Sequence, residues 1–358
     1  MFLRNYWYVA ADDHEVTDVP FARTILNEPL VFWRKTDGTA VAMEDRCCHR
    51  LMPLRKGHVM GDRIACHYHG LQFNADGQCV HVPGQTTIPP GAQVKTYPVV
   101  ERYRWLWIWM GDPALANPDE ITPFPWKDHP DFGDKGTYFH VRAGAQLIVD
   151  NLLDLSHLAF VHQSTIGNYA TAEKADTRSF KTDNSVTVAR WIVDAPPPPT
   201  YVKAGGFTSN VDRWQIIHWT PPYFVRLFTG AAPGAAEGKE FGFTDLNTST
   251  PKGGIGLRNL DAMTPETENS CHYFWSQAHD IKPITPERNH MIYNQILTAF
   301  HQDWEVFEWQ QKMFEREGGN PKTIDINVDA GLIAARKIMD RLFAEEPAKG
   351  LGMRTAAE

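Results

Sequence analysis

Residues 47–70 read CCHRLMPLRKGHVMGDRIACHYHG, and this stretch decides the fold. A Cys-x-His set, Cys47 and His49, is separated by sixteen residues from a Cys-x-x-His set, Cys66 and His69. Strand-like residues flank both, Val41 to Met43 before the first and Leu71 to Phe73 after the second. Two thiolates and two imidazoles suit a tetrahedral zinc ion, or a two-iron cluster with one iron held by sulfur and the other by nitrogen.

Zinc sites usually pair Cys with Cys and His with His. Here each set is one Cys and one His, so each loop would give one ligand to each iron of a Rieske [2Fe-2S] centre. A metal-free reading is weaker, because buried neutral histidines require satisfied partners. The spacing therefore favours the Rieske centre over both alternatives.

These residues, followed by Gly70, resemble the oxygenase (alpha) components of Rieske non-haem iron oxygenases. That family usually carries Pro between the first Cys and His, where this chain has Cys48. The ligand frame is unaffected, since only Cys47 stands two before His49, and Cys48 is expected to be a small buried residue with some oxidation liability.

At 358 residues the chain is long enough for two domains with separate cores. Its 42% hydrophobic and 12% aromatic content is that of a globular protein. A formal net charge of −8 argues against a nucleic-acid partner. Five cysteines, two of them wanted by a metal, leave no disulfide framework and fit a reducing cytoplasm. The start, MFLRNYWYVAADD, is broken by Arg4 and Asn5 and is expected to be neither a signal peptide nor a membrane span.

Short apolar runs at 6–10, 22–34 and 39–44 predict strands of a small antiparallel domain over residues 1–112. The run Trp105-Leu106-Trp107-Ile108-Trp109-Met110 predicts a buried strand, its tryptophans packing core. Five prolines between 113 and 136 predict a linker. Residues 137–358 mix classes. Helices are expected over 146–160, 287–315 and 329–345, and strands over 185–193, 213–219, 223–229 and 271–278. A sheet wrapped around long helices makes this domain α+β.

A second metal set lies in LIVDNLLDLSHLAFVH, residues 147–162, where Asn151, Asp154, His157 and His162 interrupt an apolar segment. Asp154 and His157 share a helix face, whereas His157 and His162 would stand about 140° apart. Both reach one metal only if the helix ends or distorts near Phe160. Either histidine alone would read as a satisfied core residue. Ile292, Ile296, Ala299, Phe300, Val306 and Phe307 mark the apolar stripe of the long helix, and Asp303 falls on it. A carboxylate is costly to bury there unless paired or bound to a metal, whereas Glu305 and Glu308 lie off the stripe. Two histidines and one carboxylate form the facial triad of non-haem Fe(II) enzymes, with open positions for O2 and substrate.

The resemblance extends over nearly the whole chain. Asp154, His157, His162 and Asp303 stand where the family has its Asp, two His and distant Asp, and NVDAGLIAARKIMDRL (327–342) is similar to the family's C-terminal tail. It implies an N-terminal all-β Rieske domain followed by a helix-grip-like catalytic domain with an antiparallel sheet, a mononuclear iron and a homotrimer. Asp154 would then bridge the Rieske histidine of one subunit to an iron-bound His of the next, one carboxylate oxygen orienting His157 and the other accepting from His69 or His49. EDRCCHR (44–50), VDNLLDLSH (149–157) and ERYRWLWIWMGDP (101–113) resemble the subgroup of vanillate O-demethylase and toluenesulfonate methyl-monooxygenase oxygenase components. These attack a methyl or methoxy group of a small aromatic acid. The chain has no reductase motif, so a separate NAD(P)H-dependent reductase, with flavin and ferredoxin-type cluster, is expected to supply electrons. Ring dihydroxylation and N-demethylation on the same scaffold stay open; a simple Rieske electron carrier would need only the first domain. Trp214, Phe228 and Trp275 are candidate pocket residues, with core packing an equal alternative.

Overall fold

The structure is a computed structural model describing residues 1–238, 241–319 and 321–350. It divides into two compact units, Met1–Ile121 with residues 346–350, and Thr122–Glu345.

The first unit holds eleven strands: β1 (Trp7–Asp12), β2 (Phe21–Ile25), β3 (Glu28–Arg34), β4 (Ala40–Glu44), β5 (His58–Val59), β6 (Arg63–Ala65), β7 (Gln72–Asn74), β8 (Cys79–His81), β9 (Thr96–Tyr97), β10 (Val99–Arg102) and β11 (Trp105–Trp109). They form three antiparallel sheets, ordered β1-β11-β10, β2-β3-β4-β9 and β5-β6-β7-β8. The run expected at 22–34 is two strands, because Leu26 (φ 52°) and Asn27 (φ 65°) turn left-handed between Ile25 and Glu28. Paired positive φ values are the two-residue hairpin geometry that matches strand twist, and Tyr103–Arg104 repeats it between β10 and β11. Trp105, Trp107 and Trp109 are fully buried, as core packing predicts. Val31, Trp33, Met43, Leu54, Ile64 and Phe73 form one cluster that also contains Cys47 and Cys66. The thiols thus sit in the core while their loops leave it.

The second unit is built on a seven-stranded antiparallel sheet. Its strands are β12 (Gly133–Val141), β13 (Asp176–Lys181), β14 (Val186–Ala195), β15 (Val211–Thr220), β16 (Phe224–Ala232), β17 (Ile255–Thr267) and β18 (Ser270–His279), in the order β12-β18-β17-β16-β15-β14-β13. The last four residues assigned to the linker, 133–136, open β12; Lys135 and Thr137 pair with Gln277 and Trp275. Strands β12, β13 and β17 were not expected. β13 is mostly exposed and polar, and β17 carries Arg258, Asn259 and Asp261 inside the core.

The helices are α1 (Ala145–Leu153), α2 (Leu158–Val161), α3 (Tyr169–Glu173), α4 (Pro199–Gly205), α5 (Pro286–Arg316) and α6 (Ala330–Gly350). Helix α5 starts where Thr285 Oγ1 accepts from Arg288 N (3.2 Å) with Pro286 in the first turn, a standard N-cap. It buries Ile292, Ile296, Ala299, Phe300, Asp303 and Phe307, so the stripe expected from the sequence is the face turned to the sheet. Val306 is only half-buried. Phe300 stacks on Trp275 of β18 (4.6 Å between ring centroids), which fixes the helix against the sheet.

Candidate metal centres and substrate cavity

The two Cys/His loops share one backbone design. Cys47 N donates to Met52 O and Leu51 N to Cys47 O; Cys66 N donates to Leu71 O and Gly70 N to Cys66 O. Leu51 and Gly70 both take positive φ, 59° and 72°, to close their loops. Each loop therefore buries its cysteine and exposes its histidine. Burial, with the Cys66 thiol alongside, pushes the Cys47 thiol up. The rings of His49 and His69 meet edge to face at 4.6 Å. Two sulfurs at the core side and two nitrogens at the solvent side are the donor division a Rieske cluster requires. Asp45, buried at the foot of the first loop, accepts from Arg55 N (2.7 Å) and pairs with its guanidinium. Cys48 is exposed, not buried as expected, because it stands at the loop tip where the chain has already left the core.

The helix expected over 146–160 is interrupted. Asp154 (φ −120°, ψ 92°) ends α1 and opens a single 3₁₀ turn, Leu155–His157, before α2 resumes. His162 leaves helical geometry at the end of α2 (φ −115°, ψ 27°). These two breaks bring rings that would face about 140° apart to a centroid distance of 5.2 Å. Asp303 of α5 completes the group: His162 Nε2 lies 3.0 Å and His157 Nε2 3.6 Å from Asp303 Oδ1. One ligand atom from each of the three residues lies within 4.8 Å of the others.

The tautomers follow from the outer partners. His157 Nδ1 lies 2.6 Å from the Asp154 carbonyl oxygen and His162 Nδ1 2.8 Å from Gln302 Oε1, both acceptors only. Each Nδ1 therefore carries the hydrogen, and each Nε2 lone pair points toward Asp303. Two lone pairs and a carboxylate repel unless a cation or proton stands among them, so the donor set fits a divalent metal. Asn151 Nδ2 reaches Asp303 Oδ1 (3.4 Å), while its Oδ1 is buried without a partner. Burial holds the His157 imidazole below its usual range, and the Asp303 carboxylate draws that of His162 above it.

Asp154 acts differently from the expectation on one point. Its backbone carbonyl, not its carboxylate, holds His157; Oδ1 accepts from Ser156 N (2.9 Å) and caps the 3₁₀ turn. The second oxygen has no hydrogen bond among the described residues. Gly167 lets the loop after His162 fold back: its N donates to His162 O (3.0 Å), and a Cβ there would lie 1.7 Å from Leu158 O. Gly167→Ala should therefore displace His162 and weaken retention of the mononuclear metal by about 10–100-fold, the range for lost outer support. Chelator challenge reads this; unchanged retention would show that the loop moves without carrying His162.

A cavity, partly open to solvent, adjoins the triad. Asn151, His157, His162 and Asp303 line it, together with apolar Leu155, Leu158, Leu227, Leu257, Ile296 and Phe300 and polar Arg213, Gln215, Asn259, Asp261 and Gln277. Trp214 and Phe228 do not line it. Strand side chains alternate, so Arg213 and Gln215 face the cavity while Trp214 turns to the opposite face, into a cluster with Phe228 and Phe243. Trp275 faces α5, stacked between Phe300 and Tyr293 and outside the cavity lining. Sequence reasoning followed the aromatic residues and missed the polar ones, although DRWQ and RNLD carry the alternation visibly; in WSQ, Gln277 shares the face of Trp275.

Asp261 is fully buried; its Oδ1 accepts from Tyr273 OH (2.8 Å) and its Oδ2 has no partner. Burial pushes its carboxyl from 3.8 up to about 8. The folded chain then holds this proton more tightly than the unfolded chain. Its contribution to stability is complete below about pH 4 and lost as pH rises to about 8. Each tenfold difference in proton affinity between folded and unfolded chain corresponds to about 1.4 kcal/mol. In metal-free protein, Asp261→Asn should flatten the decline in thermal stability from acid to neutral pH. A decline equal to wild type would assign the proton elsewhere.

Residues 6–98 match the Rieske [2Fe-2S] domain family, and residues 141–345 match the vanillate O-demethylase oxygenase C-terminal domain family. The chain belongs to the Rieske oxygenases that carry this C-terminal domain; it is an oxidoreductase, the oxygenase component of a multicomponent system. It is 41% identical over 352 residues to the toluene-4-sulfonate monooxygenase system iron-sulfur subunit of Comamonas testosteroni, covering 97% of this chain and 98% of that one. Identity to the vanillate O-demethylase oxygenase subunit of a Pseudomonas strain is 33% over 355 residues, covering 97% and 96%. The crystal structure of dicamba monooxygenase bound to 3,6-dichlorosalicylic acid superimposes with a TM-score of 0.86 at 32% identity, covering 97% of this chain and 99% of that one. Among the described residues, no helix is long and apolar enough to cross a membrane.

Proposed function

We propose that this chain hydroxylates a methyl or methoxy substituent of a small aromatic acid. Iron at His157, His162 and Asp303 would work with a cluster at Cys47, His49, Cys66 and His69. The observation that carries the reading is the convergence of the three ligand atoms on the wall of an apolar cavity with a polar flank. When bound, the mononuclear iron supplies activation of O2. The chain's own residues then have definable tasks. The Asp154 carbonyl and Gln302 hold the two imidazoles in the ligating tautomer. Leu158, Leu227, Leu257 and Phe300 exclude water and hold the ring, and Asn151 adds a polar group at the metal. For a methyl ether the balance is substrate, O2, two electrons and two protons giving phenol, formaldehyde and water.

The electrons come from a separate NAD(P)H-dependent reductase with flavin and a ferredoxin-type cluster. The proposed assembly is a cytoplasmic homotrimer in which Asp154 connects the cluster of one subunit to the iron of the next. The test is reductase-driven turnover of methoxybenzoates and methylated arylsulfonates, read by product mass. Loss of a methylene with formaldehyde, or gain of one oxygen on methyl, supports the proposal. Gain of two oxygens on the ring, or loss of an N-methyl group from an amine panel alone, would overturn it.

A further inference from the structure

We infer that Arg213 of β15 is the residue that holds the acid group of the substrate, through its unpartnered Nε–H. The inference rests on the aromatic-acid reading above and assigns that reading's charge to one side chain.

Arg213 is 1% exposed and lines the cavity that also contains His157, His162 and Asp303. Its guanidinium lies over the Tyr201 ring at 4.5 Å, which fixes the plane of the fork. Nη1 donates to Thr171 Oγ1 (3.2 Å) and Nη2 to Ile166 O (3.4 Å), both neutral acceptors. Nε is buried and has no partner. Arg190 stands near it and spends its donors on Thr177 Oγ1, Gln215 Oε1 and Thr171 O. Among the described residues neither guanidinium forms an ion pair, although the Asp154 carboxylate is near enough to favour the charged form of Arg190. Asp261, another acid of the cavity wall, bonds Tyr273 and not Arg213.

A buried cation without an anion is costly, and an unused donor on it adds to that cost. Apart from the three metal ligands, the rest of the polar wall is amides and hydroxyls, Asn151, Gln215, Asn259, Gln277, Tyr201 and Thr229, with the acid Asp261, and none of these carries a positive charge. A carboxylate or sulfonate on the ring would supply the missing charge and accept from Nε. The arrangement distinguishes an acid from its amide, because only the acid compensates the guanidinium.

A purely structural role is the competing account, since both bonded partners of Arg213 lie in the segment after His162. Such a strut would affect all ligands alike. The experiment therefore measures dissociation constants by calorimetry on oxidised holoprotein for 4-methylbenzenesulfonate and 4-methylbenzoate, against 4-methylbenzenesulfonamide and 4-methylbenzamide. Wild type should bind the acids at least about tenfold tighter than the amides. Arg213→Gln should bring the pairs to within about threefold while leaving amide affinity near wild type, and Arg213→Lys should lie between. Acid selectivity kept in Arg213→Gln would overturn the assignment and leave the aromatic-acid reading standing. Wild type binding amides as well as acids would overturn both. If Arg213→Gln loses the mononuclear iron or fails to fold, a crystal structure of wild type with 4-methylbenzenesulfonate decides. The acid group at Nε supports the assignment, and at any other residue refutes it.

Discussion

Asp303→Ala is expected to leave the visible spectrum of the cluster intact while the protein loses its mononuclear iron and its turnover. The carboxylate lies on the buried face of α5, 3.0 and 3.6 Å from two imidazole nitrogens whose other ring atoms are already bonded. Removing an outer partner of a ligand costs about 10–100-fold in metal affinity, so removing the ligand itself should exceed that range. The cluster ligands belong to a different compact unit, which makes the two losses separable. Cys66→Ser should give the converse: no cluster absorbance, iron still held at His157, His162 and Asp303. Full iron and activity in Asp303→Ala would refute the proposed triad. Glu308 would be a poor replacement, since it accepts from Trp304 Nε1 (2.8 Å) and pairs with Arg142.

The second large effect is expected from Asp154→Asn. Asparagine retains an oxygen to accept from Ser156 N, so the cap of the 3₁₀ turn persists. The backbone carbonyl that holds His157 is untouched. What is lost is the charge and one acceptor at an oxygen with no hydrogen bond among the described residues. Both metal centres and the oligomer should therefore survive, while cluster reoxidation in a single turnover with substrate and O2 slows by about 100-fold or more. That is the order expected when a pre-organised connection is broken. Reoxidation at the wild-type rate would show that electrons reach the iron without this carboxylate.

The candidate metal ligands were legible in the sequence because their chemistry leaves few alternatives. Cys47, His49, Cys66 and His69 have a spacing that other metals do not favour, and Asp303 stands on a stripe where only a satisfied carboxylate survives burial. The long helix was legible for the same reason: thirty-one residues of period 3.6 define a face. The break at Asp154 was not. It depends on one extended residue inside an apolar segment, and propensity over the surrounding leucines argues for continuity. The cavity wall was read from the wrong residues. Trp214 and Phe228 attract attention by size, yet strand alternation turns them to the outer face, and the informative residues are Arg213, Gln215, Asn259 and Asp261. A buried strand such as β17, with polar groups pointing into a site, imitates a loop in its composition.

Iron and acid-labile sulfide, determined per chain on protein purified without chelator and under reducing conditions, test the central claim most directly. Two ligand sets of the kinds found here predict red-brown protein with two irons and two sulfides in the cluster and one further iron outside it. The further iron should be removable by mild chelation without loss of colour. Colourless protein containing zinc and no sulfide would contradict the account at its foundation.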